Sequence, residues 1–353
     1  MIPVFDGHND LLLWFHTHPG QRQAIWSGAE GKGHLDLPRM KAGGFAGGFF
    51  AIYIPSPPGP EAMDLAAMDQ VMNHPPFALP LPAPVELRRA QNVALDMAGH
   101  LLALERTGSL SVCRSVADIR AAMAAGRIAA ILHMEGAEPI DESLDTLHVW
   151  HQLGLRSLGP VWSRPTIFGH GVPFQFPSTP DTGPGLTEAG KRLVRECNAL
   201  KIMIDLSHLN EKGFNDVAAL SDAPLVATHS NAHAVTASSR NLTDRQLAMI
   251  RDSGGMVGLN FATVFLDPGG RRAPFKGWDP MLRHLDHLLS HLGEDHVGLG
   301  SDFDGAKLPA DLGDVAGLPR LLDALGAHGF DAALLRKIAH ENWLALLSRT
   351  WGG

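Results

Sequence analysis

Residues 129–136 read Ala-Ala-Ile-Leu-His-Met-Glu-Gly, a short apolar run that ends in a histidine and a glutamate. Apolar runs of this length, stopped by glycine, are typical of the buried strands of a parallel sheet. We therefore predict a strand over Ala129–Met134, with polar side chains at its carboxyl end. The same combination recurs along the chain, and it decides the predicted fold.

Seven further segments have this character, and helix-like segments lie between them. The predicted strands are Pro3–Asp6, Gly47–Ile54, Ala129–Met134, Ser157–Val161, Ile202–Leu206, Leu225–Thr228, Met256–Asn260 and Val297–Gly300. The predicted helices are Glu86–Thr107, Ser115–Ala125, Leu144–Leu153, Thr187–Leu200, Glu211–Leu220, Thr243–Ser253 and Pro280–Leu292. Strands that alternate with helices pair in parallel through right-handed crossovers.

Eight such units in one chain predict an α/β fold of the (β/α)8 TIM barrel type. The structural alternative is an open doubly wound sheet. No Gly-x-Gly-x-x-Gly sequence follows the first strand, so a dinucleotide-binding fold has no positive support. With no repeat or linker visible, we expect a single domain over residues 1–353. Two long insertions, near 55–85 and 163–185, follow the second and fourth strands, and we expect them to cover the catalytic face.

Composition narrows the classes of function. The chain has 353 residues, of which 45% are hydrophobic, and a net charge of −8 without a run of Lys or Arg. A nucleic-acid partner and electrostatic docking on a membrane are therefore not expected. Two cysteines, Cys113 and Cys197, cannot build a disulfide framework. No signal peptide and no 18-residue apolar run are visible, so we expect a cytoplasmic protein.

Polar residues that can bind metals follow several of the predicted strands. These strand ends are Asp6-Gly7-His8-Asn9-Asp10, His133-Met134-Glu135-Gly136, Asp205-Leu206-Ser207-His208, Thr228-His229-Ser230 and Gly300-Ser301-Asp302-Phe303-Asp304-Gly305. The carboxyl ends of barrel strands converge on one rim, where the active sites of such barrels lie. Each motif alone has an ordinary structural explanation, but their joint occurrence at five strand ends predicts a metal site.

The spacing indicates how metal ions would be held. His8 and Asp10 are two residues apart, so in extended backbone both side chains reach the same side and one cation. Glu135 has two carboxylate oxygens and can bridge two cations, while His208 and His229 could complete the second site. Nitrogen and oxygen ligands without sulfur suit a catalytic zinc site, although Mn, Co and Fe also accept these ligands.

The chain has 19 histidines, and most of them need another explanation. Five lie in helical patterns and are interpreted as ordinary surface or core residues. These are His148, His151, His284, His287 and His291.

The strand-end motifs, together with Ser239-Arg240-Asn241, resemble those of the membrane (renal) dipeptidase family of zinc peptidases. This family has an amidohydrolase-like barrel, and the resemblance runs from residue 4 to beyond residue 305. It implies hydrolysis of the amide bond of small dipeptides, including L-Xaa-D-Xaa, through a hydroxide that bridges two Zn²⁺ ions.

The resemblance also implies roles for individual residues. His8 and Asp10 would hold one zinc ion, His208 and His229 the other, and Glu135 would bridge the two. Asp302 would carry the proton, Arg240 would bind the terminal carboxylate of the substrate, and Asn260 would line the pocket. The Arg240 assignment has independent support, because a guanidinium can bind a carboxylate through two parallel hydrogen bonds.

One departure from the family concerns the substrate. Mammalian members carry a substrate-contacting histidine after the fourth strand, where this chain has Trp162. We expect Trp162 to occupy that place, with His170 or Arg164 as the substitute donor.

Other functions stay open at this stage. One is an amidohydrolase of another specificity, such as an N-acyl amino acid deacylase or a lactonase. Another is a catalytically inactive metal-binding barrel, although the complete ligand set argues against it. The Met-rich segment Pro55–Val85 suggests a subunit contact, so we expect a homodimer.

Overall fold

The computed structural model describes residues 1–57 and 65–352, so part of the first insertion, residues 58–64, lies outside the described residues. Eight parallel strands carry the fold. They are β1 (Val4–Asn9), β2 (Phe45–Tyr53), β3 (Ile128–Glu135), β4 (Leu155–Gly159), β5 (Met203–Ile204), β6 (Val226–Ala227), β7 (Met256–Asn260) and β8 (Val297–Gly300). All eight coincide with predicted strands, although β5 and β6 are shorter than predicted.

The strands close into a barrel. Their hydrogen-bonded order is β5-β4-β3-β2-β1-β8-β7-β6, so each strand neighbours the next one in this set. A parallel bridge between Asp205 and Val226 joins the two ends of this order, with the Leu206 amide donating to the Val226 carbonyl over 2.8 Å. The predicted (β/α)8 barrel is confirmed, and the open doubly wound sheet is excluded.

Helices surround the barrel and connect its strands. They are Leu11–Thr17, Arg22–Trp26, Leu37–Ala42, Leu65–Met72, Leu87–Glu105, Val116–Ala124, Asp145–Leu153, Glu188–Ala199, Glu211–Leu220, Asp244–Asp252, Thr263–Leu266, Asp279–Leu292, Leu318–His328, Ala332–Arg336 and Asn342–Trp351, with a π-helical turn at Lys337–Glu341. Side-chain caps define where several of these helices begin. Asp118 N donates to Ser115 Oγ (3.1 Å), and Ser115 N donates to Asp118 Oδ2 (3.0 Å), so the two residues form a capping box at the start of helix Val116–Ala124.

The floor of the barrel is filled by an indole from the last helix. Trp343 is fully buried, and its Nε1 donates to the Leu299 carbonyl over 3.0 Å. A Cβ added to Gly7 or Gly298 would lie within 2.7 Å of this ring, so glycine at these positions makes room for it. The polar rim therefore rests on a dry, packed layer.

The two insertions meet above the opposite end of the barrel. Strand Phe77–Ala78 of the first insertion pairs antiparallel with strand Gln175–Phe176 of the second. This pairing was not predicted, because two-residue strands leave no periodic signal in the sequence. A third short strand, Leu110–Val112, pairs with β3 outside the barrel.

Two expectations about the chain as a whole can be compared with the structure. Cys113 and Cys197 are both buried with free thiols. Within the described ranges, no helix combines the length and the apolar character needed to cross a membrane.

Candidate metal and substrate site

Five side chains predicted to bind metal lie together at the carboxyl rim of the barrel. His8, Asp10, Glu135, His208 and His229 are each no more than 6% exposed. The strands themselves bring them together, since β1 and β3 carry His8 and Glu135, while His208 and His229 lie within four residues of the ends of β5 and β6. Asp10 is the first residue after β1.

Glu135 is the centre of this cluster. Its Oε2 atom lies 3.6 Å from His8 Nε2, while its Oε1 atom lies 3.1 Å from His208 Nε2 and 3.4 Å from His229 Nε2. Asp10 Oδ2 lies 3.3 Å from His8 Nε2, on the first of these two sides. The two oxygens of one carboxylate thus face two different sets of ligand atoms.

Hydrogen bonds from behind orient two of the histidine rings. Ser163 Oγ lies 2.8 Å from His208 Nδ1, and Thr228 Oγ1 lies 2.8 Å from His229 Nδ1. The Thr228 hydroxyl also donates to Asp205 Oδ2 over 2.5 Å. With the Nδ1 atoms engaged, both Nε2 atoms point at the cluster, which is the arrangement that outer partners impose on metal-binding histidines.

Burial controls the charges of this cluster. Desolvation raises the pKa of Glu135 well above its ordinary value, and the nearby Asp10 and Asp302 raise it further. Desolvation also lowers the pKa values of His208 and His229 far below the usual value, and the Arg240 charge acts in the same direction. Neutral imidazole is the form that binds metals, and a cation would return Glu135 to its ionised form.

The cluster fits divalent metal ions. Both ring nitrogens of His8 are buried and lack a hydrogen-bond partner, which is costly for a polar side chain that binds nothing. Imidazole nitrogens and carboxylate oxygens form the donor set of catalytic zinc sites. Two groups share His8 and hold one ligand atom of each member within 4.8 Å: His8 with Glu135 and His229, and His8 with Asp10 and Asp302.

Asp302 follows β8 and lies beside the metal-ligand cluster. Its Oδ2 accepts a hydrogen bond of 3.0 Å from Asn260 Nδ2, and its amide donates to the His8 carbonyl over 3.0 Å. The Asn260 amide is itself oriented, because its Oδ1 accepts from Ala262 N over 2.6 Å. Burial raises the pKa of Asp302 above its ordinary value. A carboxyl group held in this way is suited to take up and release a proton.

Arg240 lies behind the cluster as a buried cation. It is 3% exposed, its Nη1 donates to Ser230 Oγ (2.8 Å), and its Nη2 donates to the His229 carbonyl (3.0 Å). Its Nε has no partner. Burial lowers the pKa of this guanidinium to about 10, which leaves it charged at neutral pH. The Arg240 guanidinium thus keeps one donor, Nε, without a partner.

A cavity of about 220 Å³ opens onto the cluster. Asp10, Glu135, His208 and Asp302 form its polar side. Its other walls are largely apolar and include Tyr53, Met72, Trp162, Phe174, Val264 and Phe265. A small, largely apolar cleft with a few convergent polar groups is typical of a site for a small molecule.

Comparison with known proteins decides the family. Residues 1–350 match the family described as membrane dipeptidase, peptidase family M19. The chain belongs to the membrane dipeptidase family. The resemblance stated from the strand-end motifs is therefore confirmed, and with it the metallo-dipeptidase class.

Solved structures of this family resemble the chain closely. A crystal structure of the M19 metallopeptidase dipeptidase AC is 65% identical, with a TM-score of 0.96, and the match covers 100% of this chain and 99% of that one. A metallopeptidase from Rhodobacter sphaeroides, liganded with a phosphinate mimic of the dipeptide L-Ala-D-Ala, is 66% identical, with a TM-score of 0.97 and 99% coverage of both chains.

A relative known from its sequence is the uncharacterised protein in the pqqA 5′ region of Klebsiella pneumoniae. It is 50% identical over 244 residues, which cover 69% of this chain and 90% of the relative.

Of the three residues considered for substrate contact after the fourth strand, one lines the cavity and two do not. Trp162 lines the cavity, with its ring centroid 5.0 Å from that of Tyr53. His170 is not among the lining residues, and its carbonyl accepts from Asn210 N over 3.2 Å. Arg164 is fully buried and bound to Glu138 Oε1 over 2.7 Å, so its side chain supports the wall instead of facing the substrate.

Sequence reasoning missed several residues of this dipeptidase site. Ser163 contacts His208, and Asp205 holds Thr228 against His229, yet neither was assigned a role. Asp205 belongs to the strand-end motif Asp205-Leu206-Ser207-His208, and this position could have indicated a role at the rim. Arg272 and Lys307 also line the cavity, where both pair with Asp69 of the first insertion. No local pattern could have indicated that triad, because its members come from distant parts of the chain.

Proposed function

We propose that this protein is a binuclear zinc dipeptidase that cleaves the amide bond of free dipeptides, including L-Xaa-D-Xaa. One observation carries the proposal: the two oxygens of Glu135 face separate ligand sets, with His8 on one side and His208 and His229 on the other. A single carboxylate between two such sets is the arrangement needed to bridge two metal ions.

The ligands divide between the two ions as follows. His8 and Asp10 would hold the first ion, His208 and His229 the second, and Glu135 both. When bound, the zinc ions would supply a Lewis acid and an activated water. Zinc is preferred because the donors are nitrogen and oxygen, and because the site opens into a cavity that leaves coordination positions free.

The remaining residues would handle the proton and the substrate. Asp302 would accept a proton from the attacking water at a carboxylate oxygen and deliver it to the leaving amine nitrogen, while Asn260 keeps the carboxylate oriented. Arg240 would bind the substrate carboxylate through its unused donor. Trp162 and Phe265 would exclude water from the reacting groups.

The size of the substrate is supported by the cavity and by a relative. A space of about 220 Å³ holds a small dipeptide rather than an extended chain. The Rhodobacter sphaeroides relative, at 66% identity, binds a phosphinate mimic of L-Ala-D-Ala. A phosphinate in place of the scissile amide resembles the tetrahedral species of hydrolysis, and inhibitors of that kind are bound by the catalytic centre.

The test is hydrolysis of a dipeptide panel by the purified protein with added Zn²⁺. L-Ala-D-Ala and L-Ala-L-Ala would be compared with their C-terminal amides and with N-acetyl-L-alanine and a lactone. We expect cleavage of the free dipeptides, loss of cleavage with a chelator, and weak or no cleavage of the amides. Cleavage of the acetylated amino acid or the lactone in preference to every dipeptide would contradict the proposal.

A variant pair connects the activity to the bridging carboxylate. Glu135→Gln should lower turnover by at least about 100-fold, the upper end of the loss seen for outer hydrogen-bond partners of metal ligands, and reduce the metal content per chain, because a neutral amide cannot bridge two cations. Glu142→Gln, an exposed neighbour on the same connection, should behave as wild type. Wild-type metal content in Glu135→Gln would remove the basis for a bridged pair.

Two further expectations stay predictions. They are the homodimer expected from the Met-rich first insertion and the cytoplasmic location expected from the sequence. Light scattering coupled to size exclusion would test the first, and fractionation of the producing cells would test the second.

A further inference from the structure

A second set of metal-binding side chains lies on the outside of the barrel. Asp244 begins helix Asp244–Asp252, and His287 and His291 lie on the neighbouring helix Asp279–Leu292. None of the three lines the cavity. Their side chains are 51%, 19% and 34% exposed, respectively, so solvent and ions reach them directly.

The three side chains converge on one point. His287 and His291 are four residues apart on a helix and therefore lie on the same face, with ring centroids 4.1 Å apart and ring planes 22° from parallel. Asp244 Oδ1 lies 2.7 Å from His287 Nε2, and Oδ2 lies 3.7 Å from His291 Nε2. One ligand atom from each residue falls within 4.8 Å of the other two.

Hydrogen bonds prepare His291 to act as a ligand. Its Nδ1 lies 2.9 Å from the His287 carbonyl and 3.0 Å from Ser290 Oγ, whose hydroxyl hydrogen is donated to the same carbonyl over 2.8 Å. A carbonyl only accepts hydrogen bonds, so Nδ1 carries the hydrogen and Nε2 of the neutral ring keeps its lone pair. This is the backbone hydrogen bond that orients many metal-binding histidines. His287 donates from Nε2 to Asp244 and would bind through that atom after its hydrogen moves to Nδ1.

Surrounding charges leave the site open to a cation. Arg245, next to Asp244, is paired with Glu211, and Arg283, one turn before His287, is paired with Asp279. Arg251 contacts the same helix turn, since its Nη1 donates to the His291 carbonyl over 3.4 Å. Its guanidinium is paired with Asp252 over 2.8 Å, which offsets its charge.

We propose that Asp244, His287 and His291 form a surface site for a divalent transition metal, in addition to the buried centre. Two imidazoles and one carboxylate select zinc, copper or nickel over magnesium and calcium, which require oxygen ligands. The remaining positions would be filled by water. The ion would join the two helices, and its exposure makes it exchange more readily than the ions of the buried centre.

The test is zinc binding to the purified enzyme that already holds its active-centre metal. Titration with ZnCl2 followed by calorimetry, and metal analysis after dialysis, should show one further ion per chain. His291→Gln should weaken this binding at least tenfold, with unchanged content of tightly held metal. His328→Gln is the matched control, because His328 is a similarly exposed histidine paired with an aspartate, Asp286, at 2.9 Å. It should bind the further ion as wild type does.

A second measurement covers the case in which His291→Gln is poorly folded. Copper(II) added to the same zinc-loaded wild-type protein should give an electron paramagnetic resonance spectrum with two coordinated nitrogens per added ion. Asp244→Asn keeps both histidines and should weaken zinc binding at least threefold. Equal zinc affinity in wild type and His291→Gln, or a copper spectrum without nitrogen coupling, would overturn the proposal.

Discussion

His208 Nε2 and His229 Nε2 lie 3.1 Å apart, with each ring held from behind at Nδ1 by a hydroxyl group. Both rings have strongly lowered pKa values because they are buried. Two neutral imidazoles that direct the same ring atom at one carboxylate form a ligand pair for a cation. The geometry depends on residues behind the ligands, and these residues can be tested separately.

Ser163→Ala should weaken the binding of the metal ion proposed at His208 while leaving the other proposed ion in place. Loss of such an outer hydrogen bond typically lowers metal affinity by about 10–100-fold. A chelator titration followed by metal analysis should therefore release one ion from the variant at lower chelator concentration. Ser178→Ala, in the same insertion, is the control, since its hydroxyl points to the Thr179 carbonyl. Identical chelator profiles would show that Ser163 does not position His208.

Asp302→Asn should retain metal and lose most turnover. The amide cannot accept the proton from water or return it to the leaving amine, and such general acid–base roles contribute about 10²–10⁴-fold. Turnover of L-Ala-D-Ala and metal content should be measured on the same preparation. Asp295→Asn, at an exposed carboxylate, should match wild type. Undiminished turnover in Asp302→Asn would reject the proton-carrier role.

Arg240→Lys should discriminate less between a free dipeptide and its amide. Lysine keeps the charge but cannot reproduce the planar fork that binds Ser230, the His229 carbonyl and a carboxylate together. Loss of one partner of a buried charged pair costs about 2 kcal/mol or more, or roughly 30-fold in kcat/KM for the free acid. Cleavage of the amide should change little.

The metal content of Arg240→Lys should be measured as a control, because this substitution also removes a hydrogen bond to the His229 carbonyl. A parallel fall for acid and amide would assign Arg240 a purely structural role. Arg245→Lys, at an exposed guanidinium, provides the matched substitution.

Stability should fall below neutral pH in part because of His284. Burial lowers the pKa of His284 to about 3, and its Nδ1 accepts from Ala232 N over 3.1 Å. The unfolded state binds a proton near pH 6.5 while the folded state does not. The contribution of His284 is therefore complete above pH 6.5 and is lost as the pH falls towards 3, by about 1.4 kcal/mol per pH unit at most.

His284→Gln should flatten this dependence. A glutamine can keep one acceptor and one donor, so the variant should lose less stability than wild type between pH 6.5 and 4.5. Urea unfolding at several pH values would measure the difference, with exposed His148→Gln as the control. Equal slopes in wild type and His284→Gln would contradict the linkage.

Much of the secondary structure could be predicted from short sequence patterns. Apolar runs ended by Gly or a polar residue marked all eight barrel strands, and seven predicted helices were found within a few residues of their expected bounds. Ser115 and Thr243 could be recognised as helix starts because a side-chain cap acts within three residues of sequence. The pairing of Phe77 with Phe176 joins residues of two distant insertions and has no local signature.

The sequence by itself determined the barrel and the residues at its rim, because strand periodicity and strand-end position are local properties and parallel closure then brings the ends together. Only the tertiary structure decided how those residues are held and what surrounds them. The contact of Ser163 with His208, the enclosure of Arg164 by Glu138 and the approach of Asp244 to His287 all join separate segments. Such contacts depend on how the insertions and helices pack, which no spacing along the chain specifies.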